Sequence, residues 1–183
     1  MTPIVALIVI VVALALVILG YNSLVRRRNQ TDGAWAQIQV QLTKRHDLVP
    51  NLVETVKGYA THEQQTFESV SDARSAALSA QGPVAKATAE DALTTALGRV
   101  FAVAEAYPQL RASETFTKLQ DELSGVESGL AYARQYYNDA VLSYENARTT
   151  FPTMPIAAMF GFKPREYFKA APGAEAPVPV SFQ

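Results

Sequence analysis

The chain has 183 residues, a net charge of −1 at pH 7, no cysteine, and hydrophobic side chains at 49% of its positions. This length accommodates one domain with a small appendage. The balanced charge argues against a nucleic-acid partner, because a phosphate backbone requires a concentrated basic face. The lack of cysteine excludes disulfide bonds and thiolate chemistry.

The first element is an apolar stretch, Ile4 to Leu19, that contains no charged or polar side chain. With its flanking residues it approaches the roughly 20 residues that a helix needs to cross about 30 Å of hydrocarbon. The alternative is a cleaved export signal, but such a signal carries basic residues before the apolar stretch, and residues 1–3 have none. We therefore predict a retained transmembrane anchor over residues 1–21.

Three consecutive arginines, Arg26, Arg27 and Arg28, follow this stretch within the juxtamembrane helix or linker predicted for residues 22–33. Basic residues are enriched on the cytoplasmic side of membrane spans, and aromatic residues such as Tyr21 are enriched at the headgroup level. We expect a single-pass protein of the cell membrane, with a short N-terminus outside and a helical domain in the cytoplasm. The bilayer is then its first partner, although contact between the arginines and anionic lipids is incidental to their effect on topology.

Glycine and proline are sparse between residues 34 and 151 and punctuate the chain at Val49-Pro50-Asn51, Gln81-Gly82-Pro83 and Tyr107-Pro108. No stretch alternates with a period of two, so the pattern predicts four helices and no sheet. Each helix offers one apolar face and the connections are short, which favours an antiparallel up-and-down four-helix bundle. A proline-rich tail over 152–183 is expected to pack on the bundle, with its last ten residues disordered.

The last helix shows the clearest pattern. Ser113 is expected to cap it, and Pro152 marks its end. One stripe with three-four spacing contains Phe116, Leu119, Leu123, Val126, Leu130, Ala133, Tyr137, Ala140, Tyr144, Ala147 and Phe151.

Polar residues surround the first proline. Since a proline lacks an amide hydrogen and disfavours helical angles in the preceding residue, we expect one helix to end near Leu48 and another to begin at Asn51. Asn51 and Glu54 have capping-box spacing. The residues predicted to satisfy the two helix ends at this corner are His46, Asp47, Pro50, Asn51 and Glu54.

The alternative is a metal-dependent or hydrolytic site at the same corner, built from His46, Asp47, His62 and Glu63. Zinc requires three or four converging ligands, and His62-Glu63 lacks the second histidine of a zinc-protease helix. We therefore predict a protein that is not an enzyme, with no catalytic, cofactor-binding or metal-binding residue.

Large apolar side chains also occur where the predicted bundle does not require them. An exposed apolar patch is typical of an interaction site. The predicted interaction surface comprises Tyr132, Tyr136, Leu142, Phe160, Phe162 and Phe168. It suits either other proteins or a second copy of the chain, so a protein-interaction module and a self-associating membrane-organising protein are both open.

Motifs along almost the whole chain carry a family resemblance. They are YNSLVRRRN, AWAQIQVQLTKRHDLVPNLVETVKGYATHE, AEAYPQL, LQDEL, YARQYYNDAV, FP followed by FGF and YF, and Val180-x-Phe182. Together they resemble the LemA family of bacterial membrane proteins. The resemblance implies a membrane-tethered antiparallel four-helix bundle without catalytic residues. It also implies membrane-associated partners, such as a membrane zinc metalloprotease, and a similarity to proteins of magnetosome membranes.

Overall fold

The computed structural model describes residues 2–169, which form six α-helices and no strand. The helices are α1 (Thr2–Lys57), α2 (Gln64–Ser79), α3 (Pro83–Glu105), α4 (Pro108–Arg111), α5 (Glu114–Thr149) and α6 (Thr153–Met159). The prediction of an all-helical chain with a long apolar helix at its N-terminus is confirmed. The expected disorder falls on residues 174–183, which lie outside the described residues.

The start of α1 is not covered by the other residues that the structure describes. Twelve of the thirteen large hydrophobic side chains from Ile4 to Leu19 are 52% to 66% exposed, and the other, Val17, is half-buried. By length and composition, α1 is the one helix of the described chain that could cross a membrane. Exposure of so many apolar groups to water is unfavourable, so this segment suits an apolar environment such as a membrane.

The predicted helix break at Pro50 is wrong, because α1 continues through this residue to Lys57. A proline inside a helix has no N–H to offer the carbonyl group four residues earlier, here that of His46. Arg74 on α2 supplies the missing donor: its Nε donates a hydrogen bond of 2.9 Å to the His46 carbonyl oxygen. A side chain from another helix thus satisfies the backbone that the proline leaves unpaired.

The first turn of the chain lies instead between Lys57 and Gln64. The backbone N–H groups of Tyr59 and Ala60 both donate to the carbonyl oxygen of Val56 at 3.0 Å and close the end of α1. A basic residue in the last turn followed by glycine, as in Lys57-Gly58, is a helix-end signal, and here it marks the turn better than the proline does.

The two later breaks are confirmed. Gly82 adopts a φ of 80°, and Pro83 follows as the first residue of α3. Pro108 begins the short α4 in the same way. In both places the proline occupies the first helical turn, where its missing N–H costs nothing.

The stripe on α5 is largely confirmed. Nine side chains of α5 are buried: Phe116, Leu123, Val126, Leu130, Ala133, Tyr137, Ala140, Val141 and Tyr144. Leu119 and Ala147 are half-buried, and Val141 joins the core although it lies beside the predicted stripe. The prediction that Phe151 belongs to the stripe is wrong, since this side chain is 84% exposed. The reason is that α5 ends at Thr149, before Phe151 would continue the stripe.

The described residues divide into two compact units, each of which contains part of α1 and part of α5. The second unit comprises Val40–Ala131 and residues 167–169. Its apolar core combines side chains from α1 to α5, including the fully buried Leu52, Val70, Leu93 and Leu110. Burial of each such side chain contributes roughly 1.5–3 kcal/mol, so this core is the main source of the unit's stability.

The first unit comprises residues 2–39 and Tyr132–Glu166. Here α6 packs on α1 through a small cluster of Leu24, Ile156 and Ala157. After α6 the chain turns at Gly161, whose φ of 69° favours glycine. The N–H of Phe162 then donates to the Ala157 carbonyl oxygen at 3.0 Å, which is the Schellman arrangement at a helix end.

The segment after α6 is held to α5 by two tyrosines. Tyr137 and Tyr144 donate their hydroxyl groups to the carbonyl oxygens of Glu166 and Lys163, each at 2.8 Å. Burial raises the pKa of both hydroxyls, so they remain protonated donors at neutral pH. Two backbone carbonyls of a segment without regular structure are thereby satisfied.

The role of Arg74 predicts a thermodynamic coupling with Pro50. Arg74→Met leaves the buried His46 carbonyl without a donor and is expected to lower the free energy of unfolding by about 1–3 kcal/mol. Pro50→Ala restores the helical N–H, so in that background the same Arg74 substitution should cost less by about 1 kcal/mol or more. Urea unfolding of the full-length protein in detergent, followed by circular dichroism, measures the four free energies.

Arg99→Met is the matched control, because Arg99 is exposed on α3. It should change the free energy of unfolding by less than about 0.5 kcal/mol in either background. An equal cost of Arg74→Met with proline and with alanine at position 50 would contradict the assigned role.

Candidate functional site

The most unusual feature of the second unit is a cluster of ionisable side chains within its apolar core. Arg45 and His46 on α1 and Glu90 on α3 are 1%, 4% and 0% exposed. Thr94 on α3 and Glu127 on α5 complete the group, which we call the charge cluster. Buried ionisable groups are rare unless they are paired, so the partner of each group needs to be identified.

Glu90 is the centre of the charge cluster, and both of its carboxylate oxygens are occupied. Oε1 lies 2.7 Å from Nε2 of His46, and Oε2 lies 3.0 Å from Nη1 of Arg45. Burial by itself raises the pKa of Glu90, but the hydrogen bond to His46 and the attraction of His46 and Arg45 outweigh it and lower the pKa below 4.5. The carboxylate is therefore ionised at neutral pH, and the proton of the shared hydrogen bond resides on Nε2 of His46.

Arg45 makes further contacts in the charge cluster. Its Nη2 donates to Oγ1 of Thr94 at 2.7 Å, and Thr94 in turn donates to the backbone carbonyl of Glu90 at 2.9 Å. Nε of Arg45 lies 2.8 Å from Oε1 of Glu127, close enough for an ion pair, although its N–H is not aligned for a hydrogen bond. Because the Glu127 side chain is 44% exposed, this pair is screened by solvent and is weaker than the pair with Glu90.

A cleft of about 360 Å³ between α3 and α5 borders the charge cluster. Leu97, Phe101 and Leu123 form its apolar wall, and Arg45 and Glu127 contribute its charged part. This volume lies near the lower end of the roughly 300–1,000 Å³ of small-molecule pockets. The side chain of Glu127 is 44% exposed beside this cleft, whereas Glu90 is fully enclosed.

The sequence carried a signal for the charge cluster that the prediction missed. Glu90 precedes Leu93 by three residues and therefore lies on the apolar stripe of α3. Arg45 and His46 fall between Leu42 and Val49 on the corresponding stripe of α1. Charged residues of opposite sign on two buried stripes indicate a buried ion pair, but only the packing shows which of them meet.

The residues assigned to a capped corner do not form one. Asp47, Pro50, Asn51 and Glu54 are exposed residues inside α1, and His46 belongs to the charge cluster, so the capping prediction is wrong. Since α1 has no end near Pro50, there are no free helix-terminal groups there to cap. Glu54 instead forms an exposed pair with Lys57 at 3.1 Å.

The four residues of the alternative metal site are also separated in their environments. His46 is buried against Glu90, whereas Asp47 and His62 are exposed. Among residues 2–169, no three histidine, aspartate or glutamate side chains converge as a metal site requires. The arrangement of the charge cluster is suited to holding α1 in one register against α3, because both helices must align to bury the charges as pairs.

The residues next to the apolar stretch have more contacts than a role in topology requires. Arg26 is exposed, but Arg27 donates to the hydroxyl of Ser143 on α5, and the guanidinium of Arg28 lies 5.5 Å from the ring centre of Phe162. Tyr21 packs edge-on against Phe160 and Phe162, with ring centres 4.9 and 5.7 Å apart. Tyr21 thus joins the chain after α6 to the end of the apolar stretch.

The predicted interaction surface is partly exposed. Tyr132, Tyr136 and Leu142 on α5 are 74%, 37% and 49% exposed, and Phe160 is 51% exposed. Phe162 is half-buried. The prediction that Phe168 belongs to the interaction surface is wrong, because this residue is 4% exposed and belongs to the second unit.

A surface cleft of about 520 Å³ adjoins this face in the first unit. It is lined by α1 and α5 and by the turn into α6, with Arg27, Asp139, Leu142 and Phe151 among its residues. Apolar and charged groups of both signs therefore border one concave surface. This composition resembles a protein-binding surface, with aromatic residues and arginine beside polar groups.

These features define a class: an all-helical protein with one N-terminal helix that is long and apolar enough to span a membrane, and a core that contains paired charges. The chain belongs to the LemA family, whose model matches residues 34–182. The resemblance seen in the sequence motifs is confirmed.

Curated relatives extend this likeness over most of the chain. Magnetosome protein MamQ 2 of Paramagnetospirillum magneticum is 27% identical over 202 aligned positions, covering 95% of this chain and 74% of the relative. Magnetosome protein MamQ of Magnetospirillum gryphiswaldense is 26% identical and covers 91% of this chain and 71% of the relative. Protein LemA of Metamycoplasma hominis is 26% identical, covering 74% of this chain and 63% of the relative.

The charge cluster predicts a large cost for removing one charge. Glu90→Gln leaves Arg45 buried without its carboxylate and is expected to lower the free energy of unfolding by about 3–5 kcal/mol. The matched control is Glu54→Gln, which breaks an exposed pair with Lys57 and should cost less than about 1 kcal/mol. Urea unfolding in detergent measures both costs, and a loss at Glu90 as small as that at Glu54 would refute the stabilising role of the charge cluster.

The lowered pKa of Glu90 also predicts a pH dependence. Since its pKa is below 4.5 in the folded state, its contribution to stability is present above the unfolded value and is lost as the pH falls through the folded value. The difference in unfolding free energy between the wild type and Glu90→Gln should shrink as the pH falls below roughly pH 4.5. Unfolding curves between roughly pH 3 and 7 test this, and a difference that grows on acidification would contradict it.

Proposed function

We propose that this protein is a membrane-anchored, non-catalytic helical scaffold that binds other membrane-associated proteins through the exposed face of α5. In this proposal α1, α2, α3 and α5 form an antiparallel four-helix bundle whose register the charge cluster maintains. The partner class follows from the anchor, because an anchored domain meets its partners at the same membrane.

One observation carries the proposal: α5 buries most of one stripe and still presents aromatic residues on its other side. Tyr132 and Tyr136 are separated by four residues and so lie on the same side of the helix. Tyrosine is enriched at the energetically important centres of protein interfaces, because it offers a large area and a polar group at low entropic cost. The cleft beside Leu142 would receive a side chain of the partner.

The orientation of the anchor is part of the proposal. Three consecutive arginines after the apolar stretch support a cytoplasmic location for the helical domain. The family resemblance supports membrane-associated partners, and a membrane zinc metalloprotease is one candidate. The names of the magnetosome relatives are compatible with a scaffold that assembles proteins at a particular cellular structure.

Self-association is the second candidate function. The exposed tyrosines and Leu142 would suit a second copy of the chain, since a two-fold dimer brings the same patch of both copies together. Such a contact would make the protein an organiser of the membrane rather than an adaptor for other proteins.

Site-specific photo-cross-linking separates the two candidates. A benzophenone amino acid replaces Tyr132 in the full-length protein in native membranes, and Tyr59, which is 43% exposed in the second unit, is replaced in the control. We expect cross-linked products at position 132 that are absent at position 59. The double substitution Tyr136→Ser and Leu142→Ser should reduce these products by roughly tenfold, because interface tyrosines carry much of the binding energy. A partner protein in these products supports the scaffold, whereas a product of twice the 19.9 kDa chain mass supports self-association. Identical products at both positions, or none at 132, would refute the proposed surface.

A further inference from the structure

The short helix α6 lies against the end of the apolar stretch of α1. A Cβ atom placed on Gly20 would lie 2.5 Å from Cδ1 of Ile156, the end of a flexible side chain, and 3.4 Å from Cγ2 of Thr153, so a larger residue at position 20 would force Ile156 to move. Burial begins at the same level, since Gly20 is buried and Val17, one turn earlier, is the one half-buried residue between 3 and 19. Gly20 therefore marks the level on α1 at which α6 packs.

The length of the apolar stretch places this contact at the membrane boundary. The 16 residues from Ile4 to Leu19 rise about 24 Å at 1.5 Å per residue, which is less than the roughly 30 Å of a hydrocarbon core. The next turn, which begins at Gly20, is then needed to reach the headgroups. Whatever is packed on Gly20 lies at the same depth.

The surface of α6 suits this environment. Its sequence, TMPIAAM, contains no charged residue. While Ile156 and Ala157 face α1, large apolar side chains around them are exposed: Phe151 by 84%, Met154 by 50%, Met159 by 65% and Phe160 by 51%. We call these four residues the interfacial patch. In water such a patch is a liability, but at the boundary of the acyl chains it is stabilising.

The charges near the patch are complementary to lipid headgroups. Arg26 is exposed on α1, and Arg28 lies over the ring of Phe162, which follows α6. Basic groups just beyond an apolar contact attract anionic headgroups. The interfacial patch therefore suits the acyl chains of a bilayer, and the basic residues beyond it suit the phosphates.

We infer that α6 and the interfacial patch form a second membrane contact, inserted at the headgroup boundary beside the anchor and positioned by Gly20. The occupant of the patch is the bilayer itself. This inference rests on the proposed membrane anchor and adds that the chain after α5 returns to the membrane surface. Together, the anchor and α6 would limit the orientations that the first unit can adopt relative to the bilayer.

Depth-dependent fluorescence quenching tests the inference on the full-length protein. Because the chain has no cysteine, single substitutions Leu14→Cys, Met159→Cys and Gln37→Cys can each carry an environment-sensitive fluorophore. Gln37 is an exposed α1 residue about 25 Å beyond Gly20 by helical rise and reports on water. The labelled proteins are reconstituted in phosphatidylcholine and phosphatidylglycerol vesicles that contain lipids with a nitroxide at acyl carbon 5 or 12.

We expect strong quenching at position 14. Quenching at position 159 should exceed that at position 37 by roughly threefold or more, and it should be strongest with the shallow nitroxide at acyl carbon 5. Quenching at 159 equal to that at 37, with position 14 quenched, overturns the inference and leaves the anchor standing. A fluorophore at 159 that is shielded from water but not quenched by lipid also overturns it, because protein then covers the patch. No quenching at position 14 would refute the anchor itself.

Two glycines provide a matched pair of variants for the positioning step. Gly20→Leu places a side chain where Ile156 packs, whereas Gly33→Leu on the same helix meets nothing within 4 Å. Gly20→Leu should reduce quenching at position 159 by about half or more without changing it at position 14, and Gly33→Leu should change neither. Unchanged quenching at 159 in Gly20→Leu would show that the depth of α6 does not come from its contact with Gly20.

Discussion

The hydrogen bond from Arg74 to the His46 carbonyl is the contact on which the course of the chain depends. Pro50 removes the N–H that would satisfy this carbonyl, and without a substitute the helix would be expected to end there. With Arg74 as donor, α1 runs from the apolar stretch into the core of the second unit without interruption. The helix that carries the candidate membrane span is thus the same helix that carries Arg45 and His46.

His46 connects the hydrogen bond from Arg74 to the charge cluster. Its carbonyl group receives Arg74 from α2, while its imidazole donates to Glu90 on α3. One residue therefore links three helices through polar contacts that have strict geometry. Apolar packing tolerates small shifts between helices, whereas a buried charge left without its partner costs several kcal/mol. A core of this kind therefore favours the alignment of α1 and α3 in which Arg45, His46 and Glu90 are paired.

The exposed apolar groups outside the core have different physical explanations. Those of residues 4–19 form a continuous stretch, which suits hydrocarbon. Those around α6 lie next to the end of this apolar stretch and are flanked by arginines, which suits the headgroup boundary. Tyr132, Tyr136 and Leu142 stand on a helix whose opposite side is packed, which suits a protein partner. The family relationship covers most of the chain and is consistent with all three explanations.

Much of the fold could be predicted from local patterns. Three-four spacing of apolar residues identified α5, and the glycine and proline residues near positions 82 and 108 identified the breaks before α3 and α4, because these signals depend on neighbours in the sequence. The same local logic failed at Pro50, since the donor that rescues the helix comes from a residue 28 positions away from His46. The division into anchor, linker, bundle and tail is a prediction that the two compact units do not test.

The sequence alone determined the helical class, the apolar stretch and the family, because periodicity, length and motif order are properties of the chain itself. Which charges meet was decided only by the tertiary structure. Arg45, His46 and Glu90 lie on apolar stripes that the sequence displays, but an ion pair requires two side chains to come within about 3 Å, and that distance is set by helix packing. The contact between Gly20 and Ile156 is of the same kind: a glycine at the end of an apolar stretch has no assigned partner until a distant helix folds back onto it.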